Sequence, residues 1–397
     1  MEYSDDTPDA PIAAIIAATE VLLSNRFGGQ QKLSDPELLG GQSEALVMRL
    51  RVAANPFLPS RSVVVKQVPV SGVGVEPALL REVVAYQFAN TLPEEARPGP
   101  QLLAYDIAER LLVLSDVGVV DTLGDILASG DEEARLRAFR SLGAALGRMH
   151  IHTHLREEGF DTLRRRMWSK TKVEREELHT RDRAVVKAIE FGQRAFEGSG
   201  VEVPAGVKSF ASDAARRIES GRHRAFTPFD LAPDNILLAD RVQFLDYEWA
   251  GYRDVLFDVA SVIAGFPLHI FDTRPSSAEA EAFLNAWVEE IRDTWYRAVD
   301  RPRLMAMIAA AMVAWLFISA AVAYFGSPEQ ALSFDDSDQH IEHPRISASA
   351  MALRDMATTA QAVADFAAHS ADERAADLAE FAARAIAFLE NDDEFFS

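Results

Sequence analysis

Asp230 is followed five positions later by Asn235, and Asp246 lies eleven residues further on. Between them run Ile236-Leu237-Leu238 and Gln243-Phe244-Leu245, two short apolar stretches that read as strands turning at Ala239-Asp240-Arg241. A loop and hairpin of this length brings both strand ends together, so three oxygen-bearing side chains can converge. The chemistry that asks for such a set is phosphoryl transfer. It needs one carboxylate to orient an acceptor hydroxyl and further oxygens to hold magnesium. Asp and Asn are also common turn residues, so the arrangement gains weight only from what accompanies it.

The stretch resembles the catalytic and metal-binding loops of the aminoglycoside phosphotransferase (phosphotransferase enzyme) family. That family's pattern is His-Gly-Asp-Leu-His-Pro-x-Asn, then a hairpin and Ile-Asp-Trp-Glu. Asp230, Leu231, Pro233, Asn235, Asp246 and Glu248 match it, with Tyr247 where Trp is usual. The resemblance implies Asp230 as the base or hydroxyl-orienting group, and Asn235 and Asp246 as Mg2+ ligands. Upstream, Leu39-Gly40-Gly41-Gln42-Ser43 resembles the loop that covers the nucleotide, with Gly40, Gly41 and Ser43 its contacts. Ser62 to Lys66 is a strand ending in the lysine that pairs with ATP phosphates, and Glu82 is the helical acid that would hold Lys66. Leu111 to Gly118 resembles the hinge, where backbone groups from Ser115 to Val117 would meet adenine. Ala145 to His150 matches the helix before the catalytic loop. Gly251 to Asp254 and Phe257 to Ala260 match a helix start, with Asp258 a structural support for that loop. The resemblance runs from Leu38 to Gly265.

Two departures stand out. Pro228-Phe229 replaces the family's His-Gly before the catalytic aspartate, and Ala232 replaces its second histidine. His150 and His154 are one helical turn apart, but the glutamate of a zinc helix is missing, and a packing role at a helix end accounts for them. The basic residues Arg164 to Arg166 and Lys170 to Arg175 read as a solvated, salt-bridged helix face. The terminal Glu390 to Ser397 reads as an exposed acidic tail.

Positioning these residues takes two kinds of structure. After an amphipathic helix over Pro11 to Arg26, strand-like runs cover Ala45 to Val52, Ser62 to Val68, Gln101 to Asp106 and Arg110 to Ser115. One helix, Glu76 to Leu92, interrupts them. From Asp121 the pattern is mostly helical: Glu132 to His154, Thr162 to Phe196, and helices to the end broken by an acidic loop from Ser333 to Pro344. The fold class expected is α+β: a bilobal protein-kinase-like fold with a small β-rich N-lobe (1–117) and a large, mainly helical C-lobe (118–397).

Composition narrows the setting. In 397 residues there is no cysteine, which removes disulfides and thiolate chemistry and fits a reducing cytoplasm. The net charge of −21 disfavours nucleic acid and anionic membranes and favours cationic ligands. Met1 to Ala10 is acidic and does not read as a signal peptide. Leu304 to Phe325 is apolar enough to cross a membrane, but its eight alanines fit the buried centre of a helical lobe better. The function expected is an ATP- and Mg2+-dependent phosphotransferase, with GTP also open as donor. Its acceptor would be a hydroxyl of a small molecule, such as a cationic aminoglycoside or amino alcohol. The alternative is a catalytically weak, kinase-like nucleotide-binding protein acting through a partner.

Overall fold

The computed structural model describes residues 10–40, 45–69, 77–171, 180–270, 274–296, 300–333, 341 and 343–391. In chain order, helix α1 (Ala10–Phe27) leads into β1 (Leu33–Leu38), β2 (Leu46–Val52) and β3 (Ser62–Gln67). Helix α2 (Pro77–Ala89), β4 (Leu102–Asp106) and β5 (Leu111–Ser115) follow. Then come α3 (Leu123–Ser129), α4 (Glu132–Thr153), α5 (Glu157–Thr171), α6 (Thr180–Gly198) and α7 (Ala205–Ser220). Strands β6 (Arg224–Thr227), β7 (Ile236–Leu238), β8 (Val242–Phe244) and β9 (Gly251–Asp254) precede α8 (Leu256–Ile263) and α9 (Ser277–Ile291). The chain ends in α10 (Arg301–Phe325), α11 (Pro328–Ser333), α12 (Ala350–Ala368) and α13 (Ala375–Asn391). One antiparallel sheet followed by mostly helix makes the chain α+β, as expected.

The chain divides into two compact units: Met1–Asp121 with Glu158–Arg175 and Leu237–Ala250, and Thr122–Glu157 with Glu176–Ile236 and Gly251–Ser397. The first is built on a five-stranded sheet in the order β1-β2-β3-β5-β4, all pairs antiparallel. Side chains alternate across its faces. Val63 and Val65 join Met48, Leu50, Leu103, Leu111 and Val113 in a core that also holds Ile15 and Leu23 of α1. One step along β3, Lys66 points the other way. Its Cα partners in the neighbouring strands are Val47 and Leu112. Strand β1 carries Pro36 and a bulge between Ser34 and Glu37. Both are tolerated because the strand lies at the sheet edge.

The second unit is helical around α10. Asp300 caps this helix by accepting the Arg303 N–H. Gly326, at φ 88°, ends it in the left-handed conformation that only glycine adopts freely. Its residues from Leu304 to Ala321 are nearly all buried, against α6, α7, α8 and α12. Helix α6 comes close enough to need Gly192: a Cβ there would sit 1.8 Å from the Phe317 carbonyl oxygen. So α10 is the one helix among the described residues apolar and long enough to span a bilayer, and it lies inside its own unit. The rest of the unit packs as α4 on α9, α12 on α13, and α4 on β6, which pairs with β9.

Several boundaries differ from the sequence reading. Gly251–Asp254, expected to begin a helix, is strand β9; its Tyr252 and Arg253 form a ladder with Phe226 and Ala225, and the helix starts at Leu256. The expected continuous helix from Thr162 is α5 and α6, with 172–179 outside the described residues. Part of the basic cluster, most of the acidic loop and most of the terminal tail also lie outside them.

Candidate active site

In the first unit, β3 and α2 bring Lys66 and Glu82 together. The Lys66 ammonium donates to Glu82 Oε1 at 2.9 Å and Oε2 at 3.0 Å, and to Asp246 Oδ1 at 2.8 Å. Glu82 is almost wholly buried. Burial pushes its carboxyl up to about 7, against the pull of Lys66. Burial works against the Lys66 charge as well, but Glu82 and Asp246 overcome it, and the group stays cationic with its pKa above the ordinary value. A buried lysine held charged by two carboxylates is a fixed positive point, suited to phosphate.

Asp246 owes its position to local packing. Its φ is 58°, a left-handed conformation at a non-glycine residue. The segment before it is pinned where the Phe244 N–H donates to the Pro98 carbonyl. Gly99 permits this approach, since a Cβ there would fall 2.3 Å from the Phe244 oxygen. On the other side the Tyr247 ring packs edge-on against Tyr86 at 4.8 Å. Arg81 donates to the Glu248 carbonyl.

Ser115 and Val117 flank Asp116 after β5. The Ser115 N–H donates to the Gln101 carbonyl, and its hydroxyl oxygen accepts the Gln101 N–H. Asp116 accepts from Ser62 Oγ, Arg49 Nε and the Gly118 N–H. Burial opposes the Asp116 charge, but these donors outweigh it and hold its pKa below the usual carboxylate value. Gly40 has open space where a Cβ would stand. Gly41 and Ser43 lie outside the described residues.

In the second unit, Asp230 and Asn235 share one tight turn. Pro233–Asn235 is a single 3-10 turn closed by the Asn235 N–H on the Ala232 carbonyl. Pro233 opens it, with φ already near the helical value. Asp230 Oδ1 accepts the Ala232 N–H at 3.3 Å and lies 3.0 Å from His269 Nε2. Phe229, just before, has φ 67°. Its N–H lies near the Asp258 carboxylate and favours its charge. Its ring lies 4.9 Å from Trp315 and 4.6 Å below the Arg253 guanidinium.

Behind the loop runs a fully buried relay. Trp287 Nε1 donates to His150 Nδ1 at 3.0 Å, which leaves Nε2 as the protonated nitrogen facing Asp258 Oδ2 at 3.2 Å. Burial pushes the Asp258 carboxyl up, and His150 and the Phe229 N–H partly offset it. The histidine that invited a metal reading is thus a spacer between an indole and a carboxylate.

Sequence reasoning missed His269, Arg253 and Asp355. His269 is a lone histidine in the turn after α8, with no spacing that marks it. Arg253 sits in strand β9, where the sequence suggests a helix start. Asp355 is a single acid on an otherwise ordinary helix.

Among the described residues, no group of three or more His, Asp or Glu side chains is arranged to hold a metal ion. Magnesium takes one or two protein oxygens and completes its shell with water and substrate phosphates. The Asp246 carboxylate and the Asn235 amide are hard oxygen donors of the right kind. Lys66 is a fixed cation of the kind a nucleotide phosphate requires.

A sequence profile described as the phosphotransferase enzyme family matches residues 41–301. No curated protein matches. Among solved structures, the chain is similar to a choline/ethanolamine kinase family protein from Mesorhizobium loti. The two are 17% identical over 89% of this chain and 93% of that one, with a TM-score of 0.43. It is similar also to a choline kinase from Streptococcus pneumoniae, at 13% identity over 90% and 100% of the two chains and a TM-score of 0.45. An aminoglycoside phosphotransferase from Alicyclobacillus acidocaldarius is 13% identical over 90% and 93%, with a TM-score of 0.40.

Proposed function

The chain belongs to the phosphotransferase enzyme family, and from that premise we propose that it moves the γ-phosphoryl group of ATP, with magnesium, to a hydroxyl of a small molecule. The observation that carries this reading is Lys66 held between Glu82 and Asp246 at 2.8–3.0 Å. Lys66 binds nucleotide phosphates, and Glu82 keeps its ammonium oriented. Asn235 and Asp246 would hold magnesium, which supplies positive charge against the transferred group. Asp230 orients the acceptor hydroxyl and takes its proton. Asp258 would support the loop from behind, held by His150 and with its charge favoured by the Phe229 N–H. The hinge from Ser115 to Val117 and the loop of Gly40, Gly41 and Ser43 would receive the rest of the nucleotide. Little covalent work falls to the protein, so charge and positioning supply the rate.

The net charge of −21 favours a cationic acceptor, such as an aminoglycoside or an amino alcohol. A cysteine-free chain suits a reducing cytoplasm.

The test is ADP release with Mg-ATP or Mg-GTP across a panel of aminoglycosides, amino alcohols, macrolides and sugars, with Asp230→Ala as control. Acceptor-dependent release that disappears in the variant supports the reading. Nucleotide-induced thermal stabilisation without turnover for any acceptor supports instead a nucleotide-binding protein acting through a partner. No stabilisation by Mg-nucleotide at all overturns the assignment of Lys66.

A further inference from the structure

We propose that His269 is a positioning residue for Asp230: it holds one carboxylate oxygen so that the other faces the acceptor hydroxyl. This rests on the role given to Asp230 above.

Asp230 needs such a partner. From its own turn it receives only the Ala232 N–H, at a long 3.3 Å, and the Ala232 methyl offers no polar group. An aspartate side chain anchored by one weak bond turns about its Cβ–Cγ axis, where the torsion is broad. His269 Nε2 stands 3.0 Å from the same oxygen, Oδ1. Both contacts therefore fall on one oxygen, and both side chains are mostly enclosed, at 22% and 20% exposure. A donor to that oxygen requires the proton on Nε2.

The backbone around His269 is built for this presentation. After α8 the chain passes through Phe266 (φ 60°), Leu268 (φ 77°) and Ile270 (φ 53°). Non-glycine residues in the left-handed region cost about 1 kcal/mol or more each, and a β-branched isoleucine is a rare occupant. Such a run persists only where its surroundings over-determine it. Here a buried carboxylate does so: Asp355 of α12 accepts the Leu268 N–H at 2.8 Å and the Ile270 N–H at 3.1 Å. These two N–H groups bracket His269. Its own N–H closes the turn on the Phe266 carbonyl at 3.2 Å. Asp355 thus fixes the backbone on both sides of a side chain whose ring meets the Asp230 carboxylate. Strain by itself would say only that the turn is unusual; the 3.0 Å contact says what the turn presents.

The consequence is a specific kinetic pattern. Without His269 the Asp230 carboxylate stays in place but loses its fixed rotation, and orientation losses of this kind cost about tenfold to a hundredfold in rate. Nucleotide binding, which rests on other residues, is untouched.

The experiment measures steady-state turnover of Mg-ATP, with the acceptor found by the panel or with water, for wild type, Asp230→Ala, His269→Ala, His269→Gln and the double variant Asp230→Ala/His269→Ala. Expected are a lower kcat for His269→Ala at unchanged KM for Mg-ATP, and recovery in His269→Gln, whose amide can donate to Oδ1. The double variant should be no slower than Asp230→Ala alone. Thermal unfolding of each variant is recorded alongside, and His269→Gln keeps the comparison valid if the alanine variant is unstable. An unchanged kcat in His269→Ala overturns the inference, as does a further loss on top of Asp230→Ala. If wild type and Asp230→Ala turn over alike, the role of Asp230 fails first and this inference falls with it. A wild type that depends on Asp230 but not on His269 refutes only the inference.

Discussion

Replacing Lys66 by methionine should destabilise the first unit out of proportion to the side chain removed. The ammonium sits 2.9 Å from Glu82 and 2.8 Å from Asp246. At an effective dielectric of about 20, a unit pair at 2.9 Å attracts by about 6 kcal/mol. Much of that offsets the desolvation of the two charges, so the pair itself adds little net stability. Removing one partner is different. Glu82, with a side chain only 3% exposed, loses its counter-charge and, having no water, must take up a proton and bury an acid whose former partner is gone. Asp246, at 22% exposure, can still turn toward solvent and contributes less. The expected loss for Lys66→Met is about 3–5 kcal/mol. Glu82→Gln in the same background removes the ionisable group and should recover about 2 kcal/mol, a strongly non-additive result. Urea unfolding of wild type, both single variants and the double variant measures the coupling. If the two substitutions simply add, or if Lys66→Met unfolds like wild type, the account of Lys66 as a counter-charged buried cation is wrong.

Three further outcomes follow from particular contacts. Gly192→Ala gains about 1 kcal/mol of helix propensity but forces a Cβ to 1.8 Å from the Phe317 oxygen; overpacking should win, with a net loss of roughly 2 kcal/mol by thermal unfolding, and a stabilised variant would falsify the close approach of α6 to α10. Asp116→Asn should lose about 1–3 kcal/mol at neutral pH, where the charged acid accepts from Ser62, Arg49 and Gly118. Because the folded-state pKa of Asp116 is depressed, that contribution is present above its unfolded value and lost as pH falls through the folded one; a wild-type–variant gap that widens in acid would contradict the sign. Trp287→Phe removes the donor to buried His150 Nδ1 and opens a small cavity, so a loss of roughly 2–4 kcal/mol is expected, and a neutral result would count against the relay.

The parts of the site that could be read in advance are those set by local chemistry. Strand and helix periodicity place Lys66 near the end of a β-branched strand and Glu82 on the next helix, while their pairing is implied only by the family resemblance. The Asp230 to Asn235 turn is specified by Pro233 and by its own length. Strand β1 escaped notice because Asp35 and Pro36 break the alternation that marks a strand, and an edge tolerates both. Strand β9 does not read as a strand in the sequence because its ladder partner, β6, lies more than twenty residues away. His269 was not legible at all. Its place beside Asp230 is set by Asp355, 86 residues later, and by left-handed backbone that no residue type in the turn announces.

The enclosed helix α10 has a consequence for how the chain is made. An apolar stretch of this length, standing alone as it leaves the ribosome, is what membrane-insertion machinery accepts. Of the helices it packs against, α6, α7 and α8 precede it in the chain, while α11 and α12 come later. By the time Leu304 is polymerised, most of its receiving surface has already been synthesised and can begin to assemble. The order of elements along the gene thus shelters the segment: its docking surface is waiting before it appears. A circular permutant that moved α10 ahead of α6 would keep every native contact and lose that protection.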